Sequence, residues 1–327
     1  MFRHLITVLL IAFCSLGYGQ FGDPIEDTID IGVDLLEQDD YQAALKKFEV
    51  ALSMDKKNYR ALYESSVCLL RLGKFKKAIK YCSMIIKAED PNYMMDAYIL
   101  KAEAVEKSGH RADAITIYEE AVSRYKMSSY LNTKLGIRYM KMGFIDKAQT
   151  VLEKAVIIDE NNAGACKALA HVLFKKAYNN RAYLLLLKTL MLDNDDKDAL
   201  QLLSLVEGNM KSVKEDKDST FFFTGDILKL DPSNDFKATA VKLEYWLSNI
   251  SVRLTSEQKK NNLYYTHFFR GFTDLFLQGY GTPFVFEISS KTRIREAAEW
   301  KASSFNLSEL NLYKKWQIKY SWFDCKL

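Results

Sequence analysis

The residue types that could carry out chemistry are few in this chain, and their spacing does not suit it. His171 and His267 are the candidate general bases or metal ligands. His171 has no partner at metal-ligand spacing, and His267 stands among Tyr264, Tyr265, Phe268 and Phe269, a setting that suits a packed core. Cys68, Cys82, Cys166 and Cys325 include no C-x-x-C pair. There is no Gly-rich phosphate loop, no G-x-S-x-G elbow and no H-E-x-x-H helix. The expected activity is therefore binding and not catalysis, with no cofactor and no metal. The net charge of +4, from 46 basic and 42 acidic residues, is too even to predict nucleic acid as the partner.

The elements that would position a binding surface begin after an export segment. Arg3 and His4 precede the apolar run Leu5 to Phe13, and Gly17-Tyr18-Gly19 places small residues at a cleavage site. That run falls short of the roughly 20 residues a transmembrane helix needs. Cleavage is expected near Gly19, giving a periplasmic or secreted protein with peripheral envelope attachment at most. Lipidation at Cys14 is disfavoured, because the bulky Phe13 sits where a small residue is required. An even cysteine count in an exported chain invites disulfides. Three of the four fall inside helical segments, however, where free cysteines pack as small hydrophobes.

From Ile25 to Met210 the chain repeats itself. Ala44, Phe48 and Ala51 recur as Ala78, Cys82 and Ile85, as Ala114, Tyr118 and Ala121, as Ala148, Leu152 and Ala155, and as Ala182, Leu186 and Thr189. Twelve residues before each first member stands a small residue: Gly32, Ser66, Ala102, Gly136 and Ala170. Leu35, Leu69, Val105, Tyr139 and Leu173 follow three residues later. Gly73, Gly109 and Gly143 then mark the turn between two helices, with Asp39 and Ala177 at that place in the outer copies. Small residues let a second helix approach the first, and the Ala and large apolar positions fill the groove between neighbours.

This spacing resembles the tetratricopeptide repeat family, whose period is about 34 residues. The resemblance covers five repeats, about 25–58, 59–94, 95–128, 129–162 and 163–196, closed by a capping helix over 197–210. It implies a concave groove, lined by the first helix of each repeat, that binds a peptide or protein segment. Carried onto this sequence, the groove residues are Arg60, Tyr63, Val67 and Arg71 in the second repeat. Tyr130, Met140 and Lys141 follow in the fourth, and Lys167, His171 and Phe174 in the fifth. The third repeat contributes an acidic middle with Asp96, Glu103 and Glu106. The chaperone-binding clamp of the family is absent, since Ile29 and Val33 stand at its positions.

After a polar linker from Lys211 the period stops. Phe236, Ala240, Leu243, Leu247 and Ile250 have helical spacing, as do Leu263, Tyr264, Phe268, Phe272 and Phe276, up to Gly279. Phe284, Phe286 and Ile288 alternate with their neighbours and predict a strand. Trp316, Ile318, Tyr320 and Trp322 predict another, with a helix over 293–302 between them. The expected architecture is an α-helical solenoid of tetratricopeptide repeats over 25–212, followed by a small α+β domain over 213–327. The expected function is an exported protein-interaction scaffold. The alternative makes the C-terminal region the active part, as a carbohydrate-binding or enzymatic module with the repeats as spacer.

Overall fold

The computed structural model describes residues 23–212, 270–289 and 301–319, together with Ala240, Val241, Leu243, Glu244 and Leu247. The export segment, Leu263 to Phe268, Tyr320, Trp322, Cys325 and residues 293–300 of the expected C-terminal helix lie outside the described residues. Fourteen helices and no strands are present among the described residues. The chain divides into two compact units, Met1–Lys126 and Met127–Leu327.

The first unit contains α1 (Pro24–Glu37), α2 (Tyr41–Met54), α3 (Tyr59–Arg71), α4 (Phe75–Ala88), α5 (Met94–Lys107) and α6 (Arg111–Arg124). Each odd-numbered helix pairs with the next as a hairpin, and α1, α3 and α5 also touch one another in series. Three-residue turns join the two helices of a hairpin. In every turn the chain passes through a left-handed residue: Asp39, Gly73 and Gly109 here, Gly143 and Ala177 in the second unit. The amide of the residue that follows then bonds back to the carbonyl of Leu35, Leu69, Val105, Tyr139 or Leu173 at 2.8–3.1 Å. This closes the helix with its last carbonyls satisfied.

The packing core follows the repeat. Phe48, Cys82, Tyr118, Leu152 and Leu186 are fully buried, as are Ala44, Ala114, Ala148 and Ala182. The small first-helix residues sit directly against them. A Cβ on Gly32 would come within 2.5 Å of the Phe48 ring, and one on Gly136 within 2.5 Å of Leu152 Cγ. At the equivalent place in the second hairpin, Ser66 turns its hydroxyl back onto the Leu62 carbonyl at 2.7 Å and leaves room for Cys82. Cys68, Cys82 and Cys166 are buried and free. Burial raises their thiol pKa values to about 12, 11 and 12, which makes them packing groups and not nucleophiles.

The second unit holds α7 (Ser129–Lys141), α8 (Ile145–Ile158), α9 (Ala163–Lys175), α10 (Asn179–Leu192) and α11 (Lys197–Ser212). The C-terminal helices α12 (Arg270–Leu277), α13 (Gly281–Ser289) and α14 (Ser304–Lys319) complete it. Here α10 departs from the repeat. The second helices of the other hairpins bury only a stripe, whereas α10 buries nearly every residue, including Leu184, Leu185, Leu187, Leu190 and Met191. The helix α13 packs on it, and α14 packs on α13. Asn194 donates to the Glu287 carbonyl at 3.0 Å and Gln317 to the Met191 carbonyl at 2.8 Å. Lys188 is trapped in this layer at 1% exposure, with its ammonium 3.4 Å from Asn161 Oδ1.

The first expected strand is a helix, and so is the described part of the second, residues 316–319, which corrects the α+β reading for these residues. Over Phe284–Ile288 the alternation is only apparent. Val285, which a strand would turn away from Phe284 and Phe286, is as buried as they are. A short apolar run does not distinguish a strand from a helix buried on all sides. Pro283 fits because it lies in the first turn of α13, where no amide is needed. In α14 the buried positions Leu310 and Tyr313 are three apart, whereas Ile318 is 86% exposed. Ala240, Leu243 and Leu247 are helical and buried, in keeping with their spacing.

The packing can be tested at two places. Gly32→Ala and Gly136→Ala should each lower unfolding stability by about 1–3 kcal/mol in denaturant titrations, because their neighbours must shift. Gly208→Ala, with open space around it, should be neutral or stabilising. Lys188 has its pKa lowered by burial to about 8. Above that pH the folded state holds it neutral while the unfolded chain still binds the proton, so this group's contribution rises from about pH 8 to the ordinary lysine range. Lys188→Met should therefore stabilise the protein at pH 7 by about 2–3 kcal/mol, a gain that shrinks by pH 10.

Candidate functional site

The first helices of consecutive hairpins form one layer in each unit: α1, α3 and α5 in the first, α7, α9 and α11 in the second. Their starts are set by side-chain caps. Asp23, Asn58, Ser128 and Asn162 accept from the amides of Ile25, Ala61, Leu131 and Ala165. Asn162 does more than cap. Its amide group donates to Ser129 Oγ at 2.8 Å and to Thr133 Oγ1 at 3.2 Å, which ties α9 to α7.

In the first unit, Arg60 is already engaged. One guanidinium nitrogen lies 2.6 Å from Glu26 and the other 2.7 Å from Asp30. The hydrogen bond it donates to Glu26 is the main cause of its raised pKa. The fork joins α3 to α1 and so holds the layer together; it does not present a charge to a ligand. Tyr63 is half-buried, with its ring tilted against Tyr93 at 5.5 Å between centroids. Val67 is half-buried and Arg71 exposed. Two acids of this layer are partly shielded: burial raises the carboxyl pKa of Glu64 and of Asp96.

In the second unit, Tyr130 is 50% exposed, and the Lys134 ammonium lies 5.1 Å from its ring centroid. Met140 and Phe174 are half-buried and Lys141 is exposed. Lys167 sits 2.6 Å from Asp196, the cap of α11, and 3.7 Å from Asp198. His171 is half-buried; burial and then Lys167 push its imidazole pKa down, which favours the neutral ring at physiological pH. Among the described residues, no group of three or more His, Cys, Asp or Glu is placed to hold a metal ion.

The electrostatics of the two layers differ. Helix α1 carries Glu26, Asp27, Asp30, Asp34 and Glu37 and no base. Helices α7 and α9 carry Lys134, Arg138, Lys141, Lys167 and Lys175 and no acid. The charge of Arg60 is thus offset by the helix before it, and that of Lys167 by Asp196 and Asp198 at the start of α11. Sequence reasoning missed Glu26 and Asp196 as the partners of Arg60 and Lys167. A signal was available for Glu26. It lies one full repeat before Arg60, at the same repeat position with the opposite sign.

Comparison with known proteins bears on the repeat segment. Residues 35–93 match the family model described as tetratricopeptide repeat. A TPR repeat-containing protein of Methanocaldococcus jannaschii, MJ1428, is 25% identical over 130 residues, which cover 40% of this chain and 22% of that protein. The chain thus spans about a fifth of the length of that relative. Among solved structures, TTC0263, a thermophilic TPR protein of Thermus thermophilus, is 23% identical with a TM-score of 0.44, over 56% of this chain and 98% of that one. MamA of Desulfovibrio magneticus is 20% identical with a TM-score of 0.45, over 54% and 98%. The chain carries a tetratricopeptide repeat segment, built as a helical solenoid.

Proposed function

We propose that this protein is a non-enzymatic scaffold that binds a protein or peptide partner on the first-helix layer of its second unit. The observation that carries this reading is that α7 and α9 contain five bases and no acid of their own, with Tyr130 half exposed beside Lys134. Such a face suits a segment with carboxylates for Lys141 and its neighbours and apolar side chains for Tyr130, Met140 and Phe174. Lys167 and His171 shape its floor, and Lys167 is shared with Asp196. Tyr63, Val67 and Arg71 are the corresponding contact positions of the first unit, with Arg60 tying its helices together.

We further propose that the chain is exported, with residues 1–19 removed, and acts in the periplasm or outside the cell. On this reading, residues 25–212 are the repeat domain and 213–327 a C-terminal region whose helix α13 packs on α10. The C-terminal helices support a docking role over a carbohydrate site. Tyr313 is buried, and the half-buried rings of Tyr280 and Trp316 pack on it at 6.1 and 6.4 Å, which leaves their outer edges to meet a partner.

The test is affinity capture of the full chain from its native envelope, followed by binding measurements with the recovered partner. Tyr130→Ala combined with Lys141→Glu should weaken that binding about tenfold or more, as expected for contact anchors. Arg60→Ala should leave it within about twofold. Unchanged binding by the double variant would sink the groove reading. Retention of the leader on the mature protein, read by N-terminal sequencing, would sink the export reading.

A further inference from the structure

The edge of the first unit where the hairpin turns lie has a charge arrangement that the fold does not explain. Helix α4 carries Lys76, Lys77, Lys80 and Lys87 and no acid, and Lys74 precedes it as the cap residue. Cations in the first turn oppose the helix dipole, whose positive end is there, and they repel one another. In the same unit α1, α5 and α6 carry acids in the first turn (Glu26 and Asp27, Asp96, Asp113), whereas α2 and α3 carry none; no other helix gathers three lysines there. At α4 the cap residue makes no side-chain bond to the helix amides. Stability alone would select against three lysines at this place.

These lysines border an open surface depression of about 660 Å³ between two neighbouring turns, lined by Gly73, Lys74, Phe75, Lys76, Lys77 and Lys107 among others. Lys77 is bridged to Glu49 at 2.6 Å. Among the described residues, Lys74, Lys76 and Lys107 make no ion pair. From the depression the charge continues along the outer face of α4. Lys76, Lys80, Met84 and Lys87 are all exposed and fall four, four and three residues apart, on one side of the helix. At 1.5 Å per residue this stripe spans about 16 Å, the length of about five residues of extended chain.

We propose that this edge is a second docking surface, separate from the first-helix layer, and that it takes an acidic protein segment of about five to six residues. One carboxylate side chain enters the depression between Lys74 and Lys107, with the positive end of α4 behind it. The following carboxylates meet Lys76, Lys80 and Lys87, and an apolar side chain covers Met84. The concave start of the stripe favours a chain with protruding side chains over a flat anionic surface. The ion pairs would form at the rim in high dielectric, so binding should be fast, salt-sensitive and of modest affinity.

The test uses the full chain and a fluorescein-labelled hexapeptide of alternating Glu and Asp, read by anisotropy at low and physiological salt. The wild type should bind it. Lys74→Glu with Lys107→Glu, and separately Lys76→Glu with Lys80→Glu, should each weaken binding at least tenfold. The Lys76 and Lys80 variant should melt at the same temperature or higher, because like-charge repulsion is relieved, and the Lys74 and Lys107 variant should change little, since the loss of Lys107 from the last turn of α5 offsets that gain. Lys56→Glu with Lys57→Glu, an equal charge change at another exposed turn, should weaken binding no more than twofold. The groove variant Tyr130→Ala with Lys141→Glu should also retain it, so failure of the groove reading leaves this surface standing. The proposal is overturned if the wild type does not bind the peptide, or if the Lys56 and Lys57 control weakens binding as much as the variants of this edge. It is equally overturned if phosphatidylglycerol vesicles bind through these lysines while the peptide does not.

Discussion

Everything in the repeat layers depends on one close approach, that of a small residue on the first helix of a hairpin to a large residue on the second. Gly32 under Phe48 and Gly136 under Leu152 leave no space for even a methyl group. The contact fixes the distance between the paired helices, and the left-handed turn residue fixes how the chain reverses. Once the hairpins have this shape, their first helices come together in series. Only then can Arg60 reach Glu26 and Asp30, or Asn162 reach Ser129 and Thr133. The polar ties are thus consequences of apolar packing, and they tune a layer that burial has already built.

Most of the fold was legible in the sequence wherever one rule repeats. The positions of Gly32, Leu35, Ala44 and Phe48 recur with fixed spacing, and each proves to be a packing or turn-closing site. Asp39 and Ala177 show how far this reaches, since both occupy the left-handed place normally held by glycine. The C-terminal region was misread where no rule repeats. Four apolar residues within five at Phe284–Ile288 are consistent with either period, and the decision rests on tertiary contact with α10, which sequence alone does not show.

The candidate site was legible in part. The types and places of Tyr130, Met140, Lys141 and Phe174 could be read directly, because surface positions on a repeat helix follow from its register. What could not be read was engagement. Arg60 and Lys167 look like ligand-binding cations until their partners, one on the preceding first helix and one at the start of the next, are placed beside them. The run Leu184-Leu185-Leu186-Leu187 was the clearest missed signal. An outward helix face in a repeat has no reason to be apolar unless something covers it, and here α13 does.

That covered helix gives the stack a direction. Repeat arrays lengthen by duplication when each new hairpin finds an outer face like the one it displaces. The hairpins up to α8 keep such faces, with polar outer surfaces and a narrow buried stripe. α10 does not, because its outer side is already occupied by its own chain. A duplicated hairpin could be accommodated ahead of the fifth one, but one placed after it would have to compete with α13. The fifth hairpin is therefore enclosed by α11 and α13 of its own chain, and a hairpin added after it would have to displace one of them.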